Sequence, residues 1–417
     1  MFFSDKFICY SEEFAEFDKR VPVPLFEKNI TPKKPVKSAE ITVCGLGFYE
    51  FHLNSENITR TKLAPFVSNP DNCVYYDNYD ITYALQSDCK FEFLLGNGVS
   101  NAFGAIAWWF TEAPFRSAPK LAFAIEITYE DGEYELIEAD ETVTVRRTKT
   151  IADDMRLGEI YDANFVDNNP IFAVVTTSPK GEKLLSKATP IRTRAIVKPI
   201  NIVKEGNAYI YDFGINASGV CRLKINGKKD QEIWLTYGET FRDGKFYNGN
   251  IGFYWENRFQ QDRYICKEGE NEWTPKFTYH GFRCVKVEGI DESQATADLL
   301  TYEIFNTDLA RKGDFLCDNE QVNKLNRMSM NSTLSNFHHI PTDCPQREKN
   351  GWTADAALSS AHTLLYFEPT ENYKMWLLDI TRSQRADGAL PGIVPTSGWA
   401  LSISVEWLGT ALRGTVL

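Results

Sequence analysis

The hydrophobic pattern of this chain changes period once, near Thr307, and that change restricts the fold more than any single motif does. Before it, apolar runs and alternations of strand length recur at Ile41–Cys44, Phe91–Leu95, Leu121–Ile127 and Thr142–Val145, with Asp131-Gly132, Asn226-Gly227 and Asp243-Gly244 as turn pairs. After it, Val322, Leu325 and Met328 fall at helical spacing behind an Asp318-Asn319-Glu320 start signal. Further helical stretches are read at Ala356 to Tyr366, Asn372 to Arg385 and Val405 to Leu417. A chain that is first all-β and then all-α cannot close one uniform core, so it is expected to be multidomain. The extended, proline-bounded stretch from Pro190 to Pro199 marks a boundary near 195, and polar residues take over around Gly289 to Ala297. The expected division is a β-sandwich module over 1–195, a second over 196–304 and a helical part over 305–417.

Composition supports this and excludes some partners. With 417 residues and 43% of them hydrophobic, the chain can bury several cores. A net charge of −12 argues against nucleic acid or an anionic membrane surface, both of which select a basic face. Nine cysteines lack the close pairing of a zinc or redox site, so they are read as free thiols, and neither a metal nor a cofactor is expected. The start, Met1-Phe2-Phe3-Ser4-Asp5-Lys6, has no secretory signal pattern, and no run approaches the roughly 18 apolar residues of a membrane helix. Cytoplasmic residence is therefore expected.

The chemistry concentrates between Asp343 and Asp355, where D-C-P-Q-R-E-K-N-G-W-T-A-D holds three carboxylates, a guanidinium and an indole. Cleaving a glycoside requires a proton donor for the leaving oxygen, charged groups for the sugar hydroxyls and an aromatic face for the apolar side of the ring. Pro341, Pro345 and Gly351 make the stretch a structured loop, with a helix following for which Thr353 is a candidate N-cap. Asp355, in the first turn, is expected to stay ionised, whereas Glu348 beside Trp352 is expected to be desolvated and protonated, as a general acid requires. The same residues would also serve a plain polar loop in which Arg347 pairs with Asp343 or Glu348, and chemistry alone leaves both readings open.

In residue type and spacing the loop resembles the catalytic-loop signature of bacterial α-L-rhamnosidases, glycoside hydrolase family 78. The resemblance implies that Glu348 is the general acid, that Asp343, Arg347 and Asp355 bind rhamnose hydroxyls and that Trp352 packs on the sugar. Lys349, Asn350 and Ala354 stand where the family varies or prefers another residue, and little effect is expected from them. Upstream, Tyr211-Asp212-Phe213-Gly214, Asn216, Gly219, Tyr237-Gly238-Glu239 and Phe277 to Arg283 resemble the β-domain preceding the catalytic domain, and Cys44 to Glu50, Tyr76 to Asp80 and Leu95 to Gly98 resemble a jelly-roll-like N-terminal module. The helical part then implies the start of an (α/α)6 barrel. About four helices of roughly 11 to 12 residues fit, so the barrel is expected to be incomplete and the chain inactive or nearly so. The family inverts the anomeric centre with a second, water-activating carboxylate from further downstream, and no residue here is assigned to it.

Trp399 and Trp407 are further candidates to line the sugar pocket, with packing in the barrel wall as the alternative. Asp379, Asp387 and Glu406 are carboxylates that the resemblance places in no catalytic role. His338 and His339 lack a third ligand at useful spacing and are read as supporting or structural, and His280, in a run that reads as a strand at a module junction, is read as structural. The expected function is release of terminal α-L-rhamnose from glycans, with a carbohydrate partner and the oligomeric state open. The alternative is a non-catalytic carbohydrate-binding or scaffold protein with a vestigial helical part.

Overall fold

The structure is a computed structural model and describes residues 2–16, 19–104, 106–249 and 259–399. The contacts divide it into two compact units, the first comprising Met1–Ile106, Phe110–Met155 and Phe165–Ser186. The second gathers Ala107–Trp109, Arg156–Asn164 and the chain from Lys187 onward. Two short segments thus belong to the second unit although their chain neighbours on both sides belong to the first.

The first unit is built from a seven-stranded and a six-stranded sheet. Alternation decides which faces meet: Cys89–Leu95 buries every second residue, and Phe91 and Phe93 point into the core from the six-stranded sheet. Phe93 stacks on Phe51 at 4.7 Å within that sheet and on Phe123 of the facing sheet at 4.9 Å. These rings, with Ile41, Val43, Ile125 and Tyr129, form one continuous core between the sheets.

In the second unit an antiparallel sheet places Gln261–Ile265, Glu232–Gly238, His280–Glu288, Ala208–Gly227, Leu300–Thr307 and Ile191–Val197 side by side. The extended stretch from Pro190 to Pro199, read as an inter-module strand or linker, is largely an edge strand. The 20-residue strand Ala208–Gly227 pairs its first half with Asn201–Glu205 and its end with Gly269–Trp273. Its ladder is interrupted between Asp212 and Ala217, where Gly214 takes φ 71°. Tyr237, Phe282 and Tyr302 fill the core, with Phe282 and Tyr302 stacked at 3.9 Å. Asp243-Gly244 is a turn with both residues at positive φ, as expected. Asn226-Gly227 is not a turn: both residues lie in the strand, and the chain reverses just after, with Asp230 at φ 61°. A two-residue turn signal was outweighed by cross-strand pairing to Glu270 and Gly269.

Three helices follow among the described residues: α1 (Glu320–Ser335), α2 (Thr353–Tyr366) and α3 (Thr370–Arg382). The expected stretch from Val405 to Leu417 lies outside the described residues. None of the described helices is long and apolar enough to cross a membrane. Asn319 caps α1, its side chain accepting from the Gln321 and Val322 amides. Asn319→Ala should lower the stability of the second unit by about 1 kcal/mol in chemical unfolding. An unchanged transition would show that the cap is replaced by solvent at no cost.

The helical period was legible, but the buried face is the other one. Leu358 and Leu365 of α2 are 77% and 69% exposed, and Leu325 and Met328 of α1 are also exposed. The buried positions of α2 are Thr353, Ala354, Ala356, Ser360 and Thr363, small residues that permit close approach. Thr353 is the first helical residue, not the cap: its hydroxyl donates to the Gly392 carbonyl, and Trp352 occupies the cap position with no side-chain hydrogen bond.

Candidate active site

The loop from Asp343 to Trp352 joins α1 to α2 and is closed on itself by hydrogen bonds. The Asp343 amide donates to the Asn350 carbonyl at 3.1 Å, and the Asn350 amide returns a bond to Asp343 Oδ1 at 3.1 Å. Inside this ring the Glu348 amide donates to Cys344 Sγ and the Lys349 amide to the Cys344 carbonyl, both at 3.2 Å. The Cys344 thiol in turn donates to Asp343 Oδ2 at 2.8 Å. Gly351 leaves the loop where no side chain fits, because a Cβ there would stand 2.1 Å from the Val394 carbonyl oxygen. The Val394 amide bonds the Gly351 carbonyl at that contact.

Within this frame the indole Nε1–H of Trp352 donates to Glu348 Oε2 at 2.8 Å, and Arg347 Nη2 lies 3.5 Å from Glu348 Oε1. Both contacts steady the carboxyl. The Trp352 ring meets the Trp399 ring edge-on at a centroid distance of 5.8 Å. Asp343 and Asp355 complete a cluster of three carboxyls close enough to act on one another electrostatically. Glu348, Arg347, Trp352, Trp399, Asp343 and Asp355 are thus brought together, while Trp407 lies outside the described residues.

Burial acts on two of these carboxyls. Asp355 does begin α2, yet burial raises its pKa above the usual carboxylate range, with the Glu348 charge adding to the effect. The helix end does not offset the lost hydration. Burial likewise pushes Asp343 up to about 7, opposed by the Cys344 hydrogen bond and reinforced by Glu348 and Asp355. The Cys344 thiol is pushed up to about 12, by burial first and the Asp343 charge second. An acid held at about 7 when folded and near 4 when unfolded binds more protons in the folded chain between those values. The stability it leaves therefore falls as pH rises from about 4 to about 7. Asp343→Asn cannot ionise, so its melting temperature relative to wild type should climb across that window and level off above it. Melting curves of the two proteins that stay parallel from pH 4 to 7 would contradict the burial of this carboxylate.

Sequence reasoning missed what holds the loop from behind. Arg156 is 1% exposed and 192 residues upstream of Glu348, yet its Nε donates to the Glu348 carbonyl at 2.7 Å and its Nη2 to Asn350 Oδ1 at 2.6 Å. Its guanidinium also lies 5.8 Å from the Trp108 ring centroid. Lys349 and Asn350, from which little effect was expected, are both buried. The Lys349 ammonium donates to the Tyr279 carbonyl and sits 4.5 Å from that ring's centroid, and His338 stacks on Tyr279 at 3.9 Å. No local signal in the sequence marks Arg156, because its partners are set by tertiary contact alone.

The remaining candidates are engaged elsewhere. Asp379 is buried 3.4 Å from Arg382, Asp387 pairs with Arg385 at 2.8 Å, and Glu406 lies outside the described residues. His280 is buried against Asp262 at 3.1 Å and stacked on Tyr237 at 4.0 Å. Burial lowers the pKa of His338 and His339 to about 3, so both are neutral. The nine cysteines are free thiols. No group of three or more potential metal ligands occurs among the described residues.

Comparison with known proteins agrees along most of the chain. The α-L-rhamnosidase N-terminal domain matches residues 34–190, the bacterial α-L-rhamnosidase concanavalin-like domain residues 203–305, and the bacterial α-L-rhamnosidase 6 hairpin glycosidase domain residues 310–413. An α-L-rhamnosidase of Formosa agariphila is 31% identical over 374 residues, 85% of this chain and 39% of that protein. One from Streptomyces avermitilis is 27% identical over 413 residues, 90% of this chain and 38% of that protein. Among solved structures, α-L-rhamnosidase from Dictyoglumus thermophilum superposes with a TM-score of 0.86 at 28% identity, covering 98% of this chain and 47% of that one. This chain spans about two fifths of the length of the curated relatives it matches. Three α-L-rhamnosidase domains that together match most of residues 34–413, over strands, bulged sheet and acid loop alike, lead to one conclusion: the chain belongs to the bacterial α-L-rhamnosidase family.

Proposed function

We propose that this chain supplies the proton-donating half of an inverting hydrolase that releases terminal α-L-rhamnose. The observation that carries the reading is the Glu348 carboxyl, held by the Trp352 indole within a cluster that includes Asp343 and Asp355. Glu348 protonates the glycosidic oxygen as the bond to the anomeric carbon breaks. Asp343, Arg347 and Asp355 hold the ring hydroxyls, and Trp352 and Trp399 offer apolar faces to the sugar. A water then attacks the opposite face and loses its proton to a second carboxylate, which inversion places roughly 6.5 to 9.5 Å from the acid. We assign that carboxylate to none of the described residues.

The exposed leucines of α1 and α2 support a further part of the reading, in which the helices open an (α/α)6 barrel whose other helices cover them. These 417 residues are then proposed to bind the sugar without turning it over on their own. The test compares this chain with a protein carrying a whole six-hairpin domain, using aryl α-L-rhamnoside, α-L-fucoside and β-D-glucuronide. Hydrolysis of the rhamnoside alone, by the longer protein alone, is expected. Preference for another sugar would refute the substrate, and turnover by the 417-residue chain would refute the placement of the base.

A further inference from the structure

Among the described residues Trp109 is the one exposed tryptophan, with 51% of its surface open to water, and its backbone stands at φ 57°. In that left-handed conformation a Cβ crowds the backbone, so glycine or asparagine ordinarily occupies it. No polar or ring contact holds the large side chain there: the Trp109 indole makes no hydrogen bond and meets no other ring among the described residues. Its neighbour is used in the opposite way. Trp108 is buried, its ring centroid lies 5.8 Å from the Arg156 guanidinium, and its carbonyl accepts the Ser397 hydroxyl.

Two routes tie this pair of residues to the acid. Arg156, against the Trp108 ring, donates to the Glu348 carbonyl at 2.7 Å. Ser397, bonded to the Trp108 carbonyl, accepts the Trp399 amide at 3.3 Å, the Trp399 ring meets Trp352 edge-on, and Trp352 donates to the Glu348 carboxyl at 2.8 Å. Ala107–Trp109 accordingly counts with the second unit, to which the acid loop belongs. Trp108 is the anchor of this excursion, and Trp109 is the ring it presents to solvent. A terminal sugar is enclosed by the site that cuts it, whereas the group it is cut from runs outward into water. The side chains proposed to hold rhamnose come from the acid loop, the start of α2 and Trp399. Trp109 comes from a separate segment and is half in water, which suits it to the outer group.

We infer that Trp109 is a leaving-group subsite, whose open face stacks on the ring, sugar or aryl, that carries the oxygen Glu348 protonates. The shared chemistry is a ring with an apolar face, which an alkyl leaving group lacks. The inference rests on the proposed function for the bond that is cut, and on Trp109 itself for the choice of leaving group. Trp109 takes no part in the proton transfer.

The test is calorimetric titration of the 417-residue chain with methyl α-L-rhamnoside, phenyl α-L-rhamnoside and an α-L-rhamnosyl-glucose disaccharide. One or both ring-bearing ligands should bind about fivefold to tenfold tighter than the methyl glycoside, the scale of a single ring contact, and which of them gains separates an aryl from a sugar partner. Trp109→Gly should bring that ratio to near one, and Trp109→Phe should keep most of it. The melting temperature of Trp109→Gly should stay close to wild type, because glycine relieves the left-handed backbone while loosening the unfolded chain. If glycine does unsettle the turn, Trp109→Phe against Trp109→Leu reads the ring alone, and equal ratios in those two variants would overturn the inference. Equal affinity of the wild type for all three rhamnosides, or a ratio that survives Trp109→Gly, would overturn it and leave the rhamnosidase reading standing. Failure to bind any of the three would sink that reading and the inference with it.

Discussion

Glu348→Gln should slow hydrolysis of an unactivated rhamnoside by about 10²- to 10⁴-fold in a protein that carries the whole six-hairpin domain. The substitution is nearly isosteric, and the amide oxygen can still accept the Trp352 indole hydrogen that Glu348 accepts at 2.8 Å. Sugar binding should therefore survive and the loss should fall on kcat, since only the transferable proton is missing. The dependence on leaving group separates this role from a structural one. An aryloxide that leaves as an anion needs little protonation, so a dinitrophenyl rhamnoside should recover most of the lost rate, whereas a disaccharide should recover none. A uniform loss across leaving groups, or a loss confined to KM, would move the proton donor elsewhere.

Arg156→Met should destabilise the second unit by roughly 2–4 kcal/mol, in line with removing hydrogen bonds from a charged donor to buried acceptors. The cost arises because the Glu348 carbonyl and Asn350 Oδ1 both lose the donor that approaches them within 2.7 Å, in a place where Arg156 is almost fully enclosed. Arg156→Lys should recover less than half, since an ammonium cannot reproduce the planar fork that reaches a carbonyl and a side-chain amide together. Urea unfolding of the 417-residue chain, followed by tryptophan emission, reads this directly. A midpoint within experimental scatter of wild type would mean that the loop keeps its shape without Arg156.

Local chemistry made much of this molecule legible, and tertiary contact hid the rest. The change of period near Thr307 separates strands from helices because side-chain alternation and helical spacing are properties of the chain itself. The helix start at Asp318-Asn319-Glu320 was readable for the same reason: the cap that Asn319 supplies is played out within three residues. The acid loop was readable because Asp343, Arg347, Glu348, Trp352 and Asp355 lie within thirteen positions and fold on one another. The face of α2 was not, since apolar spacing reveals a stripe without saying whether the stripe or the small residues beside it meet the rest of the protein. The upward shift at Asp355 was not foreseen because the first turn of a helix was weighed and burial was not. Arg156 was invisible, being one arginine in the turn between Thr150–Asp154 and Gly158–Asp162 until the fold sets it under Glu348.

The two short excursions of the chain, at Ala107–Trp109 and Arg156–Asn164, bear on how proteins like this one can exchange parts. Recombination that swaps everything ahead of residue 195 for the equivalent stretch of a relative would carry Arg156 away with it and deliver a substitute shaped for another loop. The proposed reaction centre thus has one foundation stone encoded 192 residues upstream of Glu348. Chimaeras joined between residues 165 and 195 should fail unless the incoming stretch brings an arginine of equal reach.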